Sequence, residues 1–243
     1  MMSVGKVMQE YNDAKRILEQ MELQYTEDFH KAQTLTNSLF SSEFKKASIT
    51  KSYNEMYTVA RRQMDYNLLV KKDEAIFQFG YERKNGRINE LRYAFFECPI
   101  VYPSYGDFLD GINYTTEEVG DAFLSEYEDW KERCRDNLVD EGKTKINPVS
   151  IRYDYSEAQY AGIKHPVSHF HIGENNEIRI PTKKIITPFS FVTFVLRNVY
   201  YQDWKRLIHT QAFSENYYKG KGNCQDIKNN HFSPDEEKDF YMM

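Results

Sequence analysis

Three of the six histidines in this chain lie close together, in the run His165-Pro-Val-Ser-His169-Phe-His171. Side chains two apart on a strand project from the same face. His169 and His171 are therefore expected to stand side by side, with Phe170 and Ile172 turned toward a core. Two neutral imidazoles so placed can hold a metal ion or move protons near neutral pH. A second stretch, residues 149–155, alternates in the same way. Val149, Ile151, Tyr153 and Tyr155 take one face, and Ser150, Arg152 and Asp154 take the other. Pairing of the two strands would bring Arg152 and Asp154 beside His169 and His171. Arg179, between Ile178 and Ile180, would join from a third strand, and His165 from a nearby loop.

That constellation admits three chemistries. His169, His171 and Asp154 could bind a divalent metal with positions left open for water. One histidine could act as base and the other as acid on a phosphodiester, with Arg152 and Arg179 steadying its charge. Or the arginines and histidines could hold an anion or nucleotide without turnover, His165 helping to bind phosphate. A purely structural arrangement is also open, with Asp154 paired to Arg152 or Arg179 and the histidines hydrogen-bonded within a half-buried sheet. A duplicated two-histidine phosphodiesterase would need the His-x-Thr or His-x-Ser motif twice, and the chain has a single match, His231-Phe232-Ser233. No Gly-rich phosphate loop, Gly-x-Ser-x-Gly elbow or dinucleotide fingerprint occurs either. Glu97 at a strand end is a weaker candidate that could equally face water, and Cys98 lacks an obvious histidine partner for a nucleophile's role.

The elements that must position these residues read as follows. Amphipathic helices are expected over residues 4–23, 26–41 and 52–70; no proline precedes Pro99. The period then changes to two: Phe77, Phe79 and Tyr81 alternate, as do Leu91, Tyr93 and Phe95, with Asn85-Gly86 between them as a hairpin turn. Thr115 and Glu118 form a capping box for a helix to about Leu138 that buries Val119, Phe123, Tyr127, Trp130 and Cys134. Strands at 149–155, 168–172 and 177–180 follow, the last two joined by the turn Gly173-Glu174-Asn175-Asn176. Thr187-Pro188 then caps a long helix running past Trp204. The fold class is α+β: N-terminal amphipathic helices, an antiparallel sheet of about five strands, and long helices packed on one face. One domain spans 1–243, with a helical part at 1–70, a sheet-and-helix core at 71–213 and a polar tail at 214–243.

The composition narrows the function classes. A net charge of −5 argues against a wholesale electrostatic grip on nucleic acid, although the pairs Arg61-Arg62, Lys71-Lys72 and Lys183-Lys184 leave room for a local basic patch. The 19 tyrosines and 16 phenylalanines suit either a ring-rich core or a protein interface. Three separated cysteines without a CxxC fit a reducing, cytoplasmic setting. The N-terminus has no apolar signal core, and no run reaches membrane-spanning length.

The segments Ile151-Arg-Tyr-Asp-Tyr155, His165-Pro-Val-Ser-His169-Phe-His171-Ile-Gly, Ile178-Arg-Ile-Pro181 and Thr187-Pro-Phe resemble a bacterial family known as domain of unknown function 2290. Phe96-Glu97-Cys-Pro99, Pro103-Ser-Tyr-Gly-Asp-Phe-Leu109 and Phe194-Val-Leu-Arg-Asn-Val-Tyr200 fit it too. The resemblance covers the chain from about residue 70 and implies a bacterial source; by association it implies a defence or toxin-like gene neighbourhood. Two functional expectations follow. One is a nuclease-like enzyme acting on phosphodiester or nucleotide substrates through the histidine face. The other is a non-catalytic subunit of a multi-protein anti-phage complex, with its protein partner encoded nearby.

Overall fold

The computed structural model of the protein describes residues 2–140, 143–173 and 178–240. Helix α1 (Val4–Gln20) starts at Ser3, whose hydroxyl accepts from the Lys6 backbone N–H. Strand β1 (Tyr25–Glu27), helix α2 (Phe29–Thr34), a 3-10 turn at Asn37–Leu39 and helix α3 (Ser42–Thr50) follow. Helix α4 (Tyr53–Arg62) opens behind a capping box of Ser52 and Glu55. Strands β2 (Leu68–Val70), β3 (Ile76–Lys84) and β4 (Arg87–Phe96) come next. Helices α5 (Tyr105–Gly111), α6 (Thr116–Val119) and α7 (Leu124–Asp140) form an arm. The chain returns through β5 (Ser150–Ser156), β6 (Ser168–Ile172), β7 (Ile180–Pro181) and β8 (Lys184–Ile185). Helices α8 (Pro188–Val199), α9 (Tyr201–Leu207) and α10 (Gln211–Gly222), strand β9 (Gln225–Asp226) and helix α11 (Pro234–Phe240) complete it.

The class is α+β, with a seven-stranded sheet in the chain order β1 to β7, every neighbouring pair antiparallel. The Asn85-Gly86 turn is as expected, both residues having the positive φ (53° and 77°) that a two-residue hairpin requires. The two strands beyond the expected five lie where helices were anticipated. Tyr25–Glu27 pairs with Leu68–Val70, so β1 takes the start of the expected helix 26–41 and β2 the end of the expected helix 52–70. Leu35, at φ 47°, terminates α2, which breaks the 26–41 segment again. The expected helix from Thr115 to Leu138 is also broken, because Gly120 takes a positive φ of 53° after α6. Glu118 still accepts from the Thr115 N–H at 2.9 Å. Phe108, Tyr127 and Trp130 of this arm pack on one another and are half-buried rather than core residues; the side chain of Cys134 lies outside the described residues. The third expected strand is shorter and later, at Ile180–Pro181, and residues 174–177 of its turn lie outside the described residues. The helix opened by Thr187 and Pro188 breaks at Tyr200 into α8 and α9. The polar C-terminal stretch folds back: β9 pairs with β8, and Ile227 is buried in the core.

One face of the sheet is the anchor. Phe77, Phe79, Tyr93, Phe95, Ile151, Tyr153 and Phe170 pack there against α1 and α8, with Phe191 of α8 in ring contact with Phe79, Tyr93 and Phe170. Each such side chain contributes about 1.5–3 kcal/mol on burial, so this face fixes the strand register. The opposite face is polar, and α3 and α4 cover one end of it. There Phe44 and Met56, from α3 and α4, pack with Ile76, Ala94 and Phe96. Among the described residues no helix is long and apolar enough to cross a membrane.

Candidate active site

Because the apolar residues fix the register, the residues between them are forced onto the second face in straight rows. One row runs Gly80, Arg92, Asp154, His169 and the next runs Gln78, Ala94, Arg152, His171. The expected pairing is thus present: Arg152 lies opposite His171 and Asp154 opposite His169. His169 and His171 are 1% and 4% exposed.

The ligating atoms converge. His169 Nδ1 donates to the Pro166 carbonyl oxygen at 2.8 Å. A carbonyl only accepts, so the proton of the neutral ring sits on Nδ1 and the Nε2 lone pair is free. That lone pair lies 3.0 Å from His171 Nε2, which is 3.4 Å from Asp154 Oδ2. Three protein atoms around one tetrahedral zinc ion would be about 3.3 Å apart, close to both separations. Asp154, His169 and His171 offer one ligand atom each, all within 4.8 Å of one another. His171 Nδ1 is buried and has no hydrogen-bond partner among the described residues. Its proton can therefore move from Nε2 to Nδ1 without breaking a bond at Nδ1.

The charge states suit ligation. Burial, the largest cause, pushes the His169 imidazolium down to about 4, against the opposing pull of the Asp154 carboxylate. Burial alone would raise the Asp154 carboxyl, but the His171 hydrogen bond and the charges of Arg152 and Arg92 hold it below its ordinary value. At neutral pH the set is a neutral imidazole and a carboxylate beside His171. His165 packs edge-on to His169 with ring centroids 5.0 Å apart; burial, then the charge of Arg179, lowers its pKa. Arg179 lies just before β7 rather than within a strand, and Ile178 and Ile180 are exposed rather than buried. Its charge nevertheless reaches both Arg152 and His165. All six expected residues therefore gather at this end of the sheet.

Asp154, whose side chain is 31% exposed, opens onto a cavity of about 450 Å³ between α3 and the polar face. That size suits a small-molecule ligand. Arg92, Arg152, Lys45 and Lys51 line it, with Asp154 as the single carboxylate among the described residues, while Arg92 and Lys51 also pair with Glu90 and Glu55. Sequence reasoning missed Arg92, Lys45 and Lys51. Arg92 carried a signal, since it alternates with Leu91 and Tyr93 just as Arg152 does with Ile151 and Tyr153. The two weaker candidates do not join the site. Glu97 binds Lys145 at 2.6 Å and accepts from the Val149 N–H at 2.7 Å, and Cys98 is buried, its thiol raised by that burial.

A family model described as "Uncharacterized conserved protein (DUF2290)" matches residues 9–243. The chain belongs to that family, whose extent includes the N-terminal helices as well as the sheet. No curated protein and no solved structure matches it.

Proposed function

We propose that this family member hydrolyses a phosphodiester or nucleotide substrate with a divalent metal ion held by His169, His171 and Asp154. The observation that carries the reading is the convergence of two Nε2 atoms and one carboxylate oxygen, that of Asp154, which also lines a cationic cavity. Two imidazoles and a carboxylate form a borderline donor set suited to Zn²⁺, Mn²⁺ or Fe²⁺. A base with a pKa of about 4 is too weak to accept a proton efficiently at neutral pH, which favours ligation by His169 over acid–base work. An ion there would supply a water of lowered pKa and polarise a phosphate oxygen. Arg92 and Arg152 would hold the non-bridging oxygens. As the water oxygen bonds to phosphorus, the ester P–O bond breaks; the departing oxygen takes a proton, balancing the one the water gives up. The net charge of the chain ceases to be an objection, because the cations gather at the cavity.

The test is metal content of the purified protein by mass spectrometry, beside cleavage of labelled RNA, DNA and nucleotides with and without chelator. The reading expects bound metal and chelator-sensitive turnover, both lost in a folded His169→Ala/His171→Ala variant. Metal-free protein that gains no activity from any of the three ions would refute it.

A second reading, a non-catalytic subunit, draws on the α5–α7 arm. Residues 105–133 hold nine acidic and two basic residues and expose Ile112, Tyr114 and Leu124, which suits docking onto a basic protein partner encoded nearby. Inactivity of folded, metal-loaded protein together with a stable complex with a neighbouring gene product would favour it.

A further inference from the structure

The far end of the cavity carries a feature that the metal set does not use. Leu35 accepts from the Tyr81 N–H at 2.8 Å, and Thr36 forms a parallel bridge to Tyr81. These contacts add residues 35–36 to the edge of β3 and set Asn37 over the strand at Gly80. The Asn37 side chain lines the cavity, is 8% exposed, and leaves its Nδ2 without a partner among the described residues. A Cβ at position 80 would sit 1.8 Å from Asn37 Oδ1 and 2.9 Å from its Cγ. Gly80 is therefore a seat for this carboxamide. Glycine inside a strand costs stability, and so does a buried amide without a partner. Two such costs at one spot of a cavity wall, with no packing gain, mark a ligand contact rather than a structural one.

The neighbouring wall is apolar. Phe40, Phe44 and Met56 line the cavity on the helix side. Gly80 shares its row with Arg92, Asp154 and His169, so Asn37 and the metal set lie at opposite ends of about 14 Å of sheet, three strand spacings. An inorganic anion would use only the cationic end. A ligand that uses both ends has a flat, largely apolar part with hydrogen-bonding edges, joined to a phosphate. Resting on the function proposed above, we infer that Asn37 reads the base of a nucleotide whose phosphate lies at Arg92 and Arg152. An asparagine amide offers a donor and an acceptor side by side, the complement of a base edge.

The experiment is calorimetric titration, in chelator, of AMP, CMP, GMP, UMP, inorganic phosphate and a short single-stranded oligoribonucleotide. The proteins are wild type, Asn37→Leu, Asn37→Ala and Gly80→Ala, each checked for folding by circular dichroism and thermal melting. Leucine fills the amide's space without leaving a polar atom buried, so Asn37→Leu should melt no lower than wild type. Wild type should bind at least one nucleotide more tightly than phosphate and prefer some bases over others. Asn37→Leu, Asn37→Ala and Gly80→Ala should lose about tenfold in that affinity, together with the base preference, and leave phosphate binding unchanged. The oligonucleotide shows whether the base arrives free or on a strand, and the same loss is expected for whichever form binds. Retention of affinity and preference by folded Asn37→Leu would overturn the inference while leaving the phosphate site intact. Equal binding of nucleotides and phosphate to wild type would do the same. Binding of neither would overturn the nucleotide reading of the cavity itself.

Discussion

Replacing Asp154 with asparagine should move two affinities of the same cavity in opposite directions. Asp154 contributes the one carboxylate among the proposed metal ligands and also, among the described residues, the one negative charge lining the cavity. Asparagine keeps its shape and removes its charge. A divalent ion would lose its anionic ligand, and metal retained after dialysis should fall to background. A phosphate placed about 6 Å from that carboxylate is repelled by roughly 0.7–3 kcal/mol, for effective dielectric constants between 80 and 20. In chelator the variant should therefore bind inorganic phosphate more tightly, by about fivefold for a gain near 1 kcal/mol. Stability should change the other way. His171 loses a charged hydrogen-bond partner and Arg152 a neighbouring counter-charge, at a cost of about 1–3 kcal/mol, read from urea denaturation. The decisive comparison pairs metal analysis with phosphate titration on one preparation. Full metal retention in Asp154→Asn, or weaker phosphate binding, would show that Asp154 is a structural ion-pair residue and that the charge argument for the cavity is wrong.

Other outcomes are expected from other parts of the molecule. His165 borders the proposed ligands without being one of them, so His165→Ala should keep its metal and weaken phosphate binding in the titration used for Asp154→Asn. Asp28 caps α2 and pairs with Lys31 at 3.3 Å. Burial alone would raise its carboxyl, but the Lys31 N–H and ammonium hold it below the ordinary value. Its stabilisation is thus fully present above the unfolded carboxyl pKa near 4 and is lost as pH falls through the folded value. Asp28→Asn keeps the cap and should flatten that acid limb of a denaturation series; an unchanged limb would refute the assignment. Gly220→Ala gains about 1 kcal/mol of helix propensity, but the new Cβ would lie 2.1 Å from a ring carbon of Phe189. Overpacking of about 1–3 kcal/mol should outweigh the gain and lower the melting temperature, and a higher one would mean that α10 shifts freely on α8.

The parts of the site that were legible in the sequence depend on one rule, the two-residue alternation of a strand with one buried face. It placed His169 with His171 and Arg152 with Asp154, because Phe170, Ile151 and Tyr153 must point into the core. The hairpin at Asn85-Gly86 was legible for a similarly local reason, the backbone twist that its two residues accept. What was not legible depends on contacts between distant segments. Arg92 enters the site only because β4 lies beside β5, a pairing of segments far apart in the sequence. Lys45 and Lys51 enter it through α3 and its C-terminal end, a stretch that falls between the helices expected at 26–41 and 52–70.

Gly80 is the instructive omission. It interrupts the aromatic series Phe77, Phe79, Tyr81 on the polar side, where a missing side chain reads at first as an ordinary solvent-facing position. A strand-interior glycine has a more specific meaning, the close approach of another group. Here that group is Asn37, at 1.8 Å from where a Cβ would be, held in a 3-10 turn after a left-handed residue. Such a turn arises where a hydrophobic helical period is broken by tertiary pairing, so periodicity alone is blind to it. The histidines mark where chemistry could occur; the glycine marks where a ligand would be recognised, and the two lie on one row of the same sheet face because register, once fixed by the core, fixes both.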